Sequence, residues 1–133
     1  MASALYDKGR QGFLEGSIDW DTDNIKCCLV DTGVYTVNLA THDNLDDVTG
    51  IIATSGNLAS KTVTDGVADA ADVTFTAVTG ATVEAIVIYK DTGTASTSRL
   101  IAYIDTGTGL PVTPNGGDIT IQWDSGANKI FRL

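Results

Sequence analysis

Three copies of the triplet Asp-Thr-Gly, beginning at Asp31, Asp91 and Asp105, are the residues most suggestive of chemistry in this 133-residue chain. In aspartic-protease chemistry two such carboxylates lie about 3 Å apart and share one proton to activate water. Each copy, however, leaves an apolar run, where Asp accepts turn hydrogen bonds and Gly supplies the backbone freedom a strand-ending turn needs. The triplets are therefore read as turns.

A second candidate is the stretch 19–24, Asp-Trp-Asp-Thr-Asp-Asn, which opens like a calcium loop with acids at its first, third and fifth positions. It departs from the EF-hand pattern at Asn24 and Val30, where Gly and a bidentate Glu are required. Asp19, Asp21 and Asp23 remain the calcium candidate for a loop of another kind, against the plainer reading of an acidic turn with Trp20 folded onto the core. His42 is the only histidine, so one chain offers no histidine cluster for zinc. Cys27 and Cys28 are adjacent; in a strand they point to opposite faces, which favours two reduced thiols, at least one of them buried, over a strained disulfide. Tyr35, Tyr89, Tyr103 and Trp123 could stack sugars, but Tyr89 and Tyr103 fall within apolar runs and read as core. No Gly-rich phosphate loop is present, and neither a catalytic constellation nor a cofactor is expected.

The elements that hold these residues are drawn from a β composition: 19 Thr and 14 Gly against 2 Pro, with 15 of the 17 acids being Asp. Length favours one domain spanning 1–133. Runs at 25–30, 83–89 and 100–104 are nearly continuously apolar, as strands buried on both faces are, and the last two could form a hairpin across the loop 91–98. The stretch 34–39 is expected to pair with 25–30, and 51–53 to resume the sheet. In 73–77, Val73, Phe75 and Ala77 should face the core and Thr74 and Thr76 the solvent. A long ordered turn over 109–117 precedes alternation at 119–123, and a last strand runs 129–133, with Phe131 and Leu133 packed inward. The polar stretch 41–48 could hold one helical turn. Residues 1–17 carry a Gly-punctuated pattern that suits a short helix or an arm. The expected fold is an all-β, single-domain antiparallel β-sandwich, or a barrel-like relative, with that N-terminal helix or arm. A net charge of −9 argues against nucleic acid as a partner, and no export signal or membrane span is expected.

Several stretches resemble small proteins encoded among the structural genes of tailed bacteriophages: Leu5-Tyr6-Asp7-Lys8-Gly9-Arg10-Gln11, Tyr35-Thr36-Val37-Asn38-Leu39-Ala40-Thr41-His42, Gly66-Val67-Ala68-Asp69-Ala70, and segments 85–93, 100–105 and 108–120. The resemblance spans nearly the whole chain and implies a virion context with no catalytic residues. From it follows the expectation of a non-enzymatic capsid cement or decoration protein, made in the host cytoplasm, that binds the outer head surface. Its partners would be the major capsid protein and neighbouring copies of itself, giving an oligomer on the virion. A tail or fibre component, with glycan as a ligand it could take, is the alternative. The N-terminal segment, with Leu5, Tyr6, Arg10 and Phe13, is the expected contact surface.

Overall fold

The computed structural model describes residues 4–105, 110–123, 126, 127 and 129–133. The protein is all-β, built from antiparallel strands with one short α-helix. At its centre lies β2 (Ile25–Val30), in which every residue except Lys26 is buried. It pairs along its full length with β7 (Ala85–Lys90), Ile25 opposite Lys90 and Val30 opposite Ala85. β7 continues through the loop at 91–99 into β8 (Leu100–Ile104), the hairpin expected from the two apolar runs. The sheet is completed by β3 (Ile51–Thr54) beside β2 and by β1 (Ala4–Leu5) beside β8, giving the order β1-β8-β7-β2-β3.

Both faces of this sheet are covered, which explains why its middle strands are apolar without alternation. One face presents Ile25, Cys27, Leu29, Ile86, Ile88 and Ile104 to the larger core; the other presents Cys28, Val30, Val87 and Tyr89 to a smaller one. Full burial of each aliphatic side chain stabilises the fold by roughly 1.5–3 kcal/mol. Between Ile88 and Tyr89 the β7–β8 register shifts, so that Ile88 faces Ala102 while Tyr89 faces Leu100. The additional residue, Ile101, lies on the larger-core side together with Ala102.

The larger core is closed by two small sheets. One has the order β10-β5-β4, from β4 (Thr62–Thr64), β5 (Val67–Asp69) and β10 (Phe131–Arg132); the other pairs β6 (Val73–Phe75) with β9 (Ile119–Ile121). The layering is sandwich-like, with sheets that do not close into a barrel. Thr74 and Thr76 are exposed and Val73 and Phe75 buried, as the alternation requires. Ala77 departs from it: its φ of 51° breaks the strand, leaving Ala77 exposed and turning Val78 inward.

The smaller core is closed by the stretch expected to pair with β2. Residues 34–39 form no strand, because the Asp31 carbonyl accepts both the Val34 amide (3.1 Å) and the Tyr35 amide (3.0 Å), turning the chain off the sheet edge. Tyr35, Val37 and Leu39 then pack on the sheet's face, and β3 takes the edge instead. A 3-10 turn at Leu45–Asp47 lies within the expected helical stretch, and a second, unanticipated, sits at Ala95–Thr97.

The N-terminal segment is a built part of the fold. Residues 4–5 pair with β8, and α1 (Asp7–Leu14) follows. Gly9 brings the helix against the sheet backbone: a Cβ there would lie 2.7 Å from the Leu100 carbonyl oxygen and 2.9 Å from Ile101 Cα. Of the two N-terminal expectations, helix or arm, the described residues form the helix. The last segment also differs from expectation, since Ile130 and Phe131 are buried but Leu133 is 59% exposed. Among the described residues, no helix is long and apolar enough to cross a membrane.

Candidate functional site

The Asp-Thr-Gly copies are held apart by the sheet that they terminate. Asp31 follows β2 and Asp91 follows β7; because the two strands are antiparallel over six paired residues, the carboxylates sit at opposite ends, roughly 20 Å apart. Asp105 ends β8 on the same side as Asp31, but two strand spacings away, about 10 Å. Each described copy does turn chemistry. Asp31 Oδ1 accepts the Gly33 amide at 2.8 Å, and Asp91 Oδ1 accepts the Gly93 amide at 3.1 Å. The Gly93 amide, with help from Lys26 Nζ at 3.0 Å, holds the Asp91 carboxyl below the usual carboxylate range. Thr106 and Gly107 of the third copy, and Gly109 of the following turn, lie outside the described residues.

The calcium candidate is not assembled either. Asp23 Oδ2 accepts the Asp19 amide at 2.8 Å and pairs with Lys90 Nζ at 3.2 Å, so it is committed to closing the turn. Asp19 and Asp21 are exposed, and their interaction with one another lowers the Asp19 pKa and raises that of Asp21. Trp20 between them is buried and donates from Nε1 to the Asp69 carbonyl at 3.0 Å. Among the described residues, the acids that do come together are Asp43, Asp46 and Asp47, with one carboxylate oxygen from each within 4.8 Å of the others. Asp47 Oδ2 already accepts the Asp43 amide at 2.9 Å, and that bond chiefly keeps its pKa low.

Both thiols are free and buried, on opposite faces of β2. Burial pushes the Cys27 thiol up to about 12, against a lowering contribution from Ser55, and raises Cys28 as well. Neither is poised as a nucleophile. His42, in the polar stretch 41–48, is partly buried and hydrogen-bonded. Its Nδ1 lies 2.8 Å from Tyr35 Oη, which lies 2.8 Å from the fully buried Tyr6 Oη. The Asn38 amide, which can only donate, also reaches Nδ1 at 3.3 Å. Nδ1 is thus the acceptor, and the chain runs Tyr6 to Tyr35 to His42. Burial and the hydrogen bond to Tyr35 raise the Tyr6 pKa, so the chain ties α1's entry to the covering loop and offers no ionisable hydroxyl. Tyr35, Tyr89 and Trp123 are likewise buried, leaving no aromatic sugar platform among them.

What the fold does expose is an apolar groove of about 380 Å³ where α1, the turn after it and the β10-β5-β4 sheet meet. Its floor is Phe131, packed 5.7 Å from Phe13 and edge-on to Trp20 at 5.2 Å between ring centroids. Val63, Ala68 and Phe131 stand opposite one another across the three strands, forming one apolar row on the groove side. Thr62, Thr64, Asp69 and Arg132 alternate to the other face, where they line a separate polar depression. Val63 at 54% exposure and Leu133 at 59% leave the rim uncovered, and Leu14, adjoining Phe13 in sequence, is 89% exposed. Asp19 and Asp21 supply the charge at this rim.

Of the four residues expected to contact a partner, Phe13 lines the groove and Arg10 is exposed, bound to Asp7 at 3.2 Å. Leu5 and Tyr6 are buried in the two cores and present no contact surface in the folded chain. Sequence reasoning missed Val63, Trp20 and Leu133 as groove residues, because hydrophobic pattern carries no signal for elements brought together from distant parts of the chain. No protein-family model matches the sequence, and no curated protein matches it.

Proposed function

We propose that this chain is a non-enzymatic structural protein of a tailed-phage virion, a capsid cement or decoration protein that binds the outer head surface and bridges major capsid protein subunits and neighbouring copies of itself. The observation that carries the reading is the groove between α1 and the β10-β5-β4 sheet, an uncovered apolar surface rimmed by acids. Uncovered apolar area of this kind suits a protein contact. Among the described residues it holds no nucleophile paired with a base, and the acids nearest to a catalytic pattern are separated by the strands they cap. A net charge of −9 favours a station on the outside of a head over one against packed DNA. The phage resemblance of 5–11, 35–42 and 108–120 supports the virion setting. Repeated over a lattice, modest contacts at such a groove add resistance to bursting.

The test is co-sedimentation of the purified protein with phage heads that lack it, and separately with isolated tails. The protein should saturate heads and raise the temperature at which they release DNA. Leu133→Asp, at an exposed position, should weaken head binding by about tenfold without shifting the melting temperature of the free protein. Binding to tails alone, or to neither, contradicts the reading.

A further inference from the structure

We propose that the open edge of β4 receives an extended segment of a partner protein, apolar on one face and bearing lysine or arginine, which adds to the β10-β5-β4 sheet as a fourth strand. The inference deepens the reading above by giving the chemistry of the capsid segment, and it rests on that reading only for the partner's identity.

The backbone at this edge is open for a definite reason. Asp65 and Gly66, with φ of 51° and 80°, form a two-residue turn with both central residues left-handed. Such a turn closes on a hydrogen-bonded pair, here Thr64 with Val67. Pairs alternate along an antiparallel ladder, so Val63 and Ala68 are the non-hydrogen-bonded pair. The far side confirms the phase, since the Ala68 carbonyl accepts the Ile130 amide at 3.1 Å from the β10 side. The N–H and C=O of Val63 therefore point away from β5, and among the described residues no strand lies beyond β4. β4 is short and reads Thr-Val-Thr, with no proline or bulge within it, and the preceding Lys61 is drawn off to the Asp23 carbonyl.

Side chains and charge then choose the occupant. A strand added beside β4 continues the row Val63, Ala68, Phe131, and a residue of that strand on the groove side covers apolar surface that the chain leaves open. At the rim, Asp19 and Asp21 line the same groove as Val63, Ala68 and Phe131. The neighbouring Lys61 gives its ammonium to the Asp23 carbonyl and its charge also acts on Asp21, while Arg132 belongs to the opposite face of the small sheet. A lysine or arginine on the incoming segment complements these two exposed carboxylates. A second copy brings the same acid pair and another net charge of −9, which opposes edge-to-edge pairing of this chain with itself.

The experiment is an NMR titration of the isotopically labelled full chain with a synthetic peptide Lys-Val-Thr-Val-Thr-Lys, taken to millimolar concentration. Two control peptides replace both lysines with glutamates or carry N-methyl groups on the central amides. The lysine peptide should shift the Val63 amide and slow its hydrogen exchange, with both controls about tenfold weaker. Asp19→Asn with Asp21→Asn should weaken the lysine peptide severalfold and flatten its salt dependence. Val63→Pro removes the outward donor at an edge position where proline is tolerated, and should abolish binding; should that variant fail to fold, the N-methylated peptide on the unaltered chain decides. Equal binding of the three peptides, or no shift at Val63, overturns the proposal. So does a dimer in sedimentation that Val63→Pro dissociates, for then the edge belongs to a second copy. Loss of peptide binding with head binding intact removes this inference alone, whereas loss of both removes the cement reading as well.

Discussion

The five-stranded sheet and the three-stranded β10-β5-β4 sheet are made by the same antiparallel pairing yet treat their surfaces in opposite ways. In the first, β2, β7 and β8 are apolar on both faces and covered on both, by the small sheets on one side and by residues 31–48 on the other. In the second, strands of two or three residues offer one apolar row to a groove that the chain leaves partly open. Doubly covered sheet concentrates stability, and partly covered sheet is where a partner can add area without competing with the fold's own contacts. The contrast ties the cysteines and tyrosines of the larger sheet to structure, and under the proposed function it leaves the groove for recognition.

The sharpest way to break this division is to remove residues 1–17. If the segment were an arm on a finished domain, the remainder would fold. With Leu5 and Tyr6 buried and α1 seated on β8, the truncation should instead cost more than about 5 kcal/mol, of the order of the stability of a small domain, and circular dichroism at 25 °C should show an unfolded chain. Tyr6→Ala tests the same region at one residue. It empties a fully buried aromatic site and strips Tyr35 of its partner, and should cost about 3–5 kcal/mol in urea unfolding, whereas Tyr6→Phe should cost about 1 kcal/mol. Gly9→Ala should cost about 1–3 kcal/mol, because the new methyl meets backbone atoms of Leu100 and Ile101 that cannot rotate away.

Smaller effects belong to the turns. Asp91→Ala should cost about 1 kcal/mol at neutral pH through loss of the Gly93 and Lys26 contacts. The folded-state pKa of Asp91 lies below its unfolded value, so its contribution is present above about pH 4 and disappears as pH falls through the folded pKa. The variant's acid-unfolding curve should converge on that of the unaltered protein at the low end. Least disturbed should be Val63→Lys, which changes an exposed edge residue and should alter stability by no more than about 0.5 kcal/mol while impairing binding at the groove. A loss of several kcal/mol at Val63 would erase the difference between the two sheets.

How much of this was legible in the sequence follows from what hydrophobic pattern reports. The continuous runs of β2, β7 and β8 announced strands buried on two sides, and the alternation at 73–75 and 119–123 gave the inner face correctly. Tyr35, Val37 and Leu39 alternate just as a strand does, yet they report only burial. The turn at Asp31 lays them across the sheet instead of along its edge, and no local signal separates those outcomes. Ala77 has an ordinary side chain in a left-handed backbone position, which composition gives no reason to suspect. The groove was illegible for a different reason. It joins Phe13 to Phe131 and Trp20 to the β10-β5-β4 sheet across most of the chain's length, and periodicity carries no information about such long-range pairs.

Most direct for the central claim is a reconstruction of the intact virion at a resolution that places side chains. Under the proposed function this chain lies on the outer surface of the head, with β2 and β7 away from the contact and the groove of Phe13, Val63, Phe131 and Leu133 filled by an extended segment of the capsid protein beside β4. Density for the chain in the tail, or on the head with that groove open to solvent, contradicts it.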